Sequence, residues 1–218
     1  MSENSYQWLV DRKDMHENKS SNTVEVNENG IDLKIERIAF DDYASADITY
    51  IKTDKPFTLE PTDTSHGESA RGISFLAVLS GSADGIFPSG KEVCISKQCG
   101  LISDFSDGSS KFTVKPEEPL RCFAATLSEL QIKRLFTEDN SEKLTEFLSQ
   151  KGFIQPYRIT PAMQSIINSS INCTLTGTLK RMFLEGTALQ IFSLIFSQKF
   201  PELFTKNHIM KSIFLIMI

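Results

Sequence analysis

Up to Ser128 the apolar residues of this chain alternate with polar ones or gather in short runs between turns. Beyond Ser128 they recur three and four positions apart. That change of period separates a strand-forming part from a helix-forming part. Ile31, Leu33 and Ile35 alternate with Asp32, Lys34 and Glu36, as a half-buried strand does, and ADITYIK (46–52) reads as a second strand. GISFLAVLSG (72–81) is almost continuously apolar and stops at Ser80-Gly81, the pattern of a central strand covered on both faces. Turn residues then recur at Gly81, Gly85, Pro88-Ser89-Gly90, Gly100, Asp107-Gly108 and Pro116. Between them lie the strand-length segments GIFP, KEVCISK, GLISDF, KFTVK and LRCFAATL. Many short strands with regular turns predict an antiparallel barrel or sandwich.

The helical part opens with Ser128 as a cap for SELQIKRLFTED, whose Leu130, Ile132 and Leu135 share one side. SEKLTEFLSQKG (141–152) follows with Leu144, Phe147 and Leu148 on one face and Gly152 as its stop. In ITPAMQSIINSSINC, Thr160 is the expected cap and Pro161 the first helical residue, with Met163, Ile166, Ile167 and Ile171 as its stripe. The turn TLTG (174–177) leads into a last helix with Leu179, Met182, Phe183, Gly186 and Leu189 along one face. Residues 1–30 are polar and rich in Asn, Ser and Glu, so they read as a flexible arm in which Trp8, Leu9 and Val10 could dock on the body. The expected organisation is α+β: an arm at 1–30, a strand domain at 31–127, a helical region at 128–200 and an atypical tail at 201–218.

Charge and residue inventory narrow the function. The net charge of −5 argues against a broad basic surface for nucleic acid. Cys94, Cys99, Cys122 and Cys173 show no C-x-x-C spacing, and none of His16, His66 and His208 lies near a cysteine pair, so no zinc site is expected. A small barrel of the cupin kind binds metal through paired histidines, but here His66 stands alone beside Glu68; neither a metal nor a cofactor is expected. A serine or cysteine nucleophile would lack a base, so the chain does not read as an enzyme. LSGSADG (79–85) resembles a phosphate loop but lacks the Lys-Ser/Thr ending, and reads as a hairpin turn. Asp104, Asp107, Glu117 and Glu118 sit around predicted turns and read as solvated.

Asp11, Arg12, Lys13, Asp14 and Glu17 interrupt the region where a secretory signal would need an apolar core. The apolar stretches 188–196 and 212–218 fall short of the roughly 20 residues a spanning helix needs. The expected setting is cytoplasmic, with no membrane partner. What remains is a barrel enclosing a small ligand, with Phe75, Ala77, Leu79, Phe87, Phe112 and Phe123 as lining and Arg71 and Arg121 as anion contacts.

Residues 159–192, ITPAMQSIINSSINCTLTGTLKRMFLEGTALQIF, resemble the helical linker region of AraC-type transcription regulators, most of all the subgroup that includes regulators of siderophore uptake. The resemblance rests on Cys173, Gly177, Leu179, Lys180, Arg181, Leu184, Glu185, Ala188 and Leu189. The departures are Thr187 for Lys, Gln190 for Glu, and Ile191-Phe192 for Leu-Leu. FLAVLSGSADG is similar in kind to a strand and turn of the family's sensor domain. The resemblance implies a cupin-like barrel that senses a small-molecule effector, with a ferric siderophore as one candidate. It further implies a homodimer, or a heterodimer with related regulators, formed through helices; Met163, Ile166, Ile167, Leu179, Met182, Phe183 and Leu189 are the expected dimerisation and linker residues.

The family reads DNA through two helix-turn-helix units of roughly another 100 residues. SQKFPELFTKNHIMKSIFLIMI offers no recognition helix, so a chain truncated before that domain is expected, touching DNA only through a domain it lacks. Two alternatives stand beside this: a free-standing cupin-like binding protein or enzyme, and an interaction protein that forms inactive heterodimers with intact regulators.

Overall fold

The computed structural model describes residues 5–8, 21–41, 44–61, 72–87, 89–104, 110–135, 146–147 and 152–199. Two β-sheets and a helical layer build it. The strands are β1 (Ser5–Trp8), β2 (Ser21–Glu28), β3 (Ile31–Asp41), β4 (Ala44–Thr53), β5 (Phe57–Pro61) and β6 (Gly72–Ser80). They continue as β7 (Ser82–Ile86), β8 (Glu92–Ser96), β9 (Cys99–Asp104), β10 (Lys111–Val114), β11 (Leu120–Ser128) and β12 (Ile154–Arg158). The helices are α1 (Glu129–Leu135), α2 (Pro161–Ile171) and α3 (Gly177–Lys199). A seven-stranded sheet runs β12-β9-β6-β11-β4-β3-β2, and a five-stranded sheet runs β1-β5-β10-β7-β8. All pairings are antiparallel except β1 with β5. The fold is the expected α+β, a double β-sheet followed by helices. Among the described residues the two sheets share no strand pairing, so the barrel is open.

The large sheet is buried on both faces by different layers. One core joins Ile31, Leu33, Ile35, Ile51, Val78, Leu101, Leu120 and Cys122 to Phe57, Ala83, Phe87, Ile95 and Val114 of the small sheet. The other joins Ile38, Phe40, Ala46, Ile73, Phe75, Ala77, Phe123, Ala125 and Leu127 to Met163 and Ile167 of α2 and to Leu184, Ala188, Ile191, Phe192 and Ile195 of α3. Successive residues of a strand point to opposite faces, so neighbours such as Val78 and Ala77 serve different cores. The near-continuous apolar run of β6 is the direct result, as its sequence implies.

Several expectations change. Strand pairing starts before Ile31, since β2 pairs with β3 from Ser21↔Ile38 to Glu28↔Ile31 and β1 pairs with β5. Residues 9–20 of the expected arm lie outside the described residues. LSGSADG is not a hairpin: β6 belongs to the large sheet and β7 to the small one, so Gly81 is the corner between sheets. Its φ is 74°, and a Cβ there would lie 2.8 Å from the Glu118 carbonyl oxygen. Only glycine satisfies both demands. β12 lies inside the span expected to be helical linker, and pairs with β9 at the sheet edge. Pro156, which argues against a central strand, is tolerated on such an edge.

The caps are as expected. Ser128 Oγ accepts from the Gln131 amide at 3.2 Å, and Thr160 Oγ1 accepts from the Met163 amide at 3.2 Å, with Pro161 in the first turn. Ile132 is fully buried but Leu130 is 58% exposed, so the stripe drawn for α1 does not hold at Leu130. The helix expected at 141–152 falls mostly outside the described residues, as does the tail at 201–218.

The Phe192 ring meets the Phe75 ring edge-on at 6.5 Å and stacks on Phe196 at 6.0 Å, anchoring α3 to β6. Phe192→Ala is expected to cost about 3–5 kcal/mol in urea unfolding, whereas Leu130→Ala should stay within about 0.5 kcal/mol. Equal costs would refute this placement of the helical core.

Candidate functional site

The register of the large sheet lays out its inner face, the one turned to the small sheet, as successive rows. Leu33, Ile51 and Leu120 form one row, and Ile35, Thr49, Cys122 and Val78 the next. Arg37, Asp47, Ala124, Leu76 and Leu101 form a third. Ala39, Ser45, Thr126, Ser74 and Ser103 form the last. The face therefore grades from a dry apolar end to an ion pair and then to a line of half-buried hydroxyls across four adjacent strands. At strand spacing that line is about 14 Å wide.

Arg37 Nε donates to Asp47 Oδ1 and its terminal nitrogen to Oδ2, both at 2.7 Å, with the side chains 26% and 17% exposed. Such a two-pronged pair satisfies both charges against each other and fixes the guanidinium plane. Ser74 Oγ and Thr126 Oγ1 share a hydrogen bond at 3.1 Å. The Cys122 thiol is buried one row below, and burial pushes its pKa up to about 12; the Asp47 charge adds to this, and a hydrogen bond with Thr49 opposes it. This face offers shape, hydroxyl donors and acceptors, and a compensated charge pair. Among the described residues, no group of three His, Cys, Asp or Glu could hold a metal ion.

The residues expected to line a cavity divide between the faces. Phe87 and Phe112 lie on the inner side, their rings edge-to-face at 5.9 Å and 86°. Phe75, Ala77 and Phe123 are fully buried on the opposite face, packed against the helices. Leu79 packs on that same helical side, at a bulge where Arg121 pairs with Ser80 and Cys122 with Val78. Arg121 is exposed, and it alternates with the inner residues Leu120 and Cys122, so it does not reach the inner face. Arg71 and His66 lie outside the described residues. Arg37, Asp47, Ser45, Thr49, Ser74, Ser103 and Thr126 were not anticipated. The signal was present: Arg37 continues the inward series Ile31, Leu33, Ile35, where another apolar residue would be expected.

The expected dimerisation residues divide likewise. Met163 and Ile167 are fully buried against the sheet, and Ile166 and Leu189 pack on the same core. Leu179, Met182 and Phe183 face outward, 62%, 63% and 36% exposed, together with Leu175 at 42%.

Residues 55–206 match the family described as the regulatory protein PchR N-terminal domain. The chain belongs to this family. The resemblance of 159–192 to AraC-type regulators is borne out by that match. No curated protein matches the chain. Among solved structures, ToxT from Vibrio cholerae is 13% identical with a TM-score of 0.42, over 72% of this chain and 57% of that one. The cupin domain of an XRE family transcriptional regulator from Enterobacter cloacae is 13% identical with a TM-score of 0.34, over 43% of this chain and 94% of that one. Bacterial pirin YhhW from Escherichia coli, in complex with nickel(II), is 12% identical with a TM-score of 0.38, over 63% and 55%.

In this PchR-type domain the motif residues have structural tasks. Gly177 has a φ of 56° where the chain enters α3, a conformation that favours glycine. Lys180 and Arg181 turn toward β3: Lys180 Nζ reaches both Glu36 carboxylate oxygens at 2.6 and 2.7 Å, and Arg181 donates to the Phe40 carbonyl. Thr187 stands where the related motif has Lys, and it is buried. Its hydroxyl donates to the Phe183 carbonyl and accepts from Ser170 Oγ at 3.0 Å, joining α2 to α3.

The thiols should report this packing. With a pKa of about 12, Cys122 holds about one part in ten thousand as thiolate at pH 8, and it is buried as well. Iodoacetamide at pH 8 is expected to label exposed Cys94 in the native domain and to reach Cys122 only after denaturation, as read by peptide mass spectrometry. Native labelling of Cys122 at the rate of Cys94 would show the inner face to be open to that depth.

Proposed function

We propose that this domain is the effector-sensing part of an AraC-type transcription regulator and that the inner face of its large sheet binds the small molecule. The observation that carries the reading is the polar end of that face. A fold seeking stability alone has little reason to set an ion pair and four hydroxyls in register beside a dry apolar core, because burying polar groups costs more than burying apolar ones of equal size. Apolar walls with a few placed polar groups are what small-molecule sites use. A ferric siderophore is the first effector class to test. The free state of all four cysteines supports a cytoplasmic setting.

The exposed stripe of Leu175, Leu179, Met182 and Phe183 is the surface for a second copy or a related regulator. These residues project from one side of α3 and the turn before it, as an unpaired helix face does. The DNA reading of the family is not assigned to Lys180 and Arg181, since Lys180 is paired with Glu36 and Arg181 donates to the Phe40 carbonyl of β3.

A panel of ferric siderophores and related aromatics is the direct test. A ligand at 100 times its Kd should stabilise the domain by about 2.7 kcal/mol. The resulting rise in Tm should disappear in Ser74→Val/Thr126→Val while that variant stays folded. A flat Tm across the panel would sink the sensor reading. For the helix, Leu179→Glu/Met182→Glu is expected to convert a dimer into a monomer in light scattering; a monomeric parent chain would dispose of the pairing surface.

A further inference from the structure

β3 carries two ion pairs on consecutive residues and opposite faces. Arg37 points inward to Asp47 of β4, at the polar end of the inner face. Glu36 points outward and takes Lys180 of α3 on both its oxygens, the two side chains 21% and 16% exposed. Farther along the same strand the Phe40 carbonyl accepts from Arg181. The first turns of α3 are therefore tied to β3 at two points that straddle Arg37. Leu179 and Met182 of the exposed stripe are the immediate neighbours of the tying residues, and Phe183 follows Met182. β3 is next to the sheet edge, flanked outward only by β2. It is thus less confined than β6 or β11, which have several strands on either side.

Two partly buried, charge-assisted contacts one residue apart on a strand share a backbone. Moving the Arg37 Cα shifts the Glu36 carboxylate with it, since adjacent Cα atoms are held about 3.8 Å apart by rigid peptide geometry. A ligand group that competes for Arg37 or Asp47 must alter this pair. We propose that β3 is a lever: a change at the Arg37–Asp47 pair is passed through the strand to the Glu36–Lys180 clamp and sets how firmly the first half of α3 is held to the sheet. The coupling takes its use from the reading of the inner face as an effector site, but it is a property of the strand and is tested without any ligand.

The test is a double-mutant cycle in the whole 218-residue chain between Asp47→Asn and Lys180→Met, followed by urea unfolding and by amide exchange of residues 178–183. Asp47→Asn alone is expected to speed exchange of those amides by about threefold or more, and to add less than half that factor in the Lys180→Met background. The two variants should also be non-additive in the unfolding constant by at least about twofold. Lys115→Met, which removes the exposed Lys115–Asp84 pair beside the small sheet, is the control and should leave exchange in α3 unchanged. Additive effects, or an equal response in the control, would overturn the lever. Arg37→Gln and Glu36→Gln break the same two pairs from their other partners and serve where either first variant fails to fold. A failed siderophore screen with a positive cycle would reject the proposed effector and keep the lever; the reverse would keep the effector and reject the lever.

Discussion

Everything in this domain depends on a sheet that is covered twice. The seven strands sit between the small sheet and the helices, so neighbours such as Ala77 and Val78 of β6 or Cys122 and Phe123 of β11 serve different cores, while Lys34 of β3 and Lys52 of β4 face solvent. Sliding β3 or β4 by one residue would turn its inner residues to the helical face and place Arg37 or Asp47 among the phenylalanines packed under α3. Register is therefore specified from both sides. The bulge at Leu79 and the corner at Gly81 come where β6 leaves the sheet, so the irregularity is confined to its end.

The helical layer also explains why some of the chain was legible beforehand and some was not. Most strand positions from Ile31 to Leu127 follow from alternation and turn residues, β5 and the start of β7 being exceptions, and the caps at Ser128 and Thr160 follow from local hydrogen bonding. Which face a residue serves does not. A strand with apolar residues on both sides carries no mark of which side meets helices, so Phe75 and Phe123 read as cavity lining although they are core. α3 poses the same difficulty, being apolar on the side of Leu184, Ala188 and Ile191 and again on that of Leu179 and Met182. β12 was hidden because Pro156 and the neighbouring helical pattern outweighed five residues of edge strand. At the site, Arg37 and Asp47 were visible as inward positions, but their pairing needs the β3–β4 register, which only the folded sheet supplies.

The polar groups inside the domain are compensated in distinct ways, and this separates framework from site. Ser170 and Thr187 are buried, and the bond from Ser170 Oγ to Thr187 Oγ1, with Thr187 in turn donating to the Phe183 carbonyl, joins α2 to α3. Glu36 and Lys180 are matched across the sheet–helix boundary. Arg37 and Asp47 are also matched, but beside them runs a row of hydroxyls that is only half buried, with Ser74 and Thr126 each retaining capacity to bond elsewhere.

The charge on α3 bears on what its outer face can meet. Lys180 and Arg181 come between Leu179 and Met182 in sequence, where a solvent-facing pair would put positive charge beside the apolar stripe. They lie instead at the border of the helix's two faces and lean to β3, carrying their aliphatic stems over the sheet. Lys180 is neutralised by Glu36, and Arg181 spends a donor on a backbone carbonyl. The Lys180 charge beside the stripe is thereby offset by Glu36, whereas Arg181 keeps its positive charge, because a bond to a neutral carbonyl does not cancel it. The phosphate-binding capacity that the sequence Lys-Arg suggests is correspondingly reduced at Lys180. One pair of contacts to β3 thus draws both basic side chains of this stretch toward the sheet and leaves Leu179 and Met182 as the exposed apolar residues beside them.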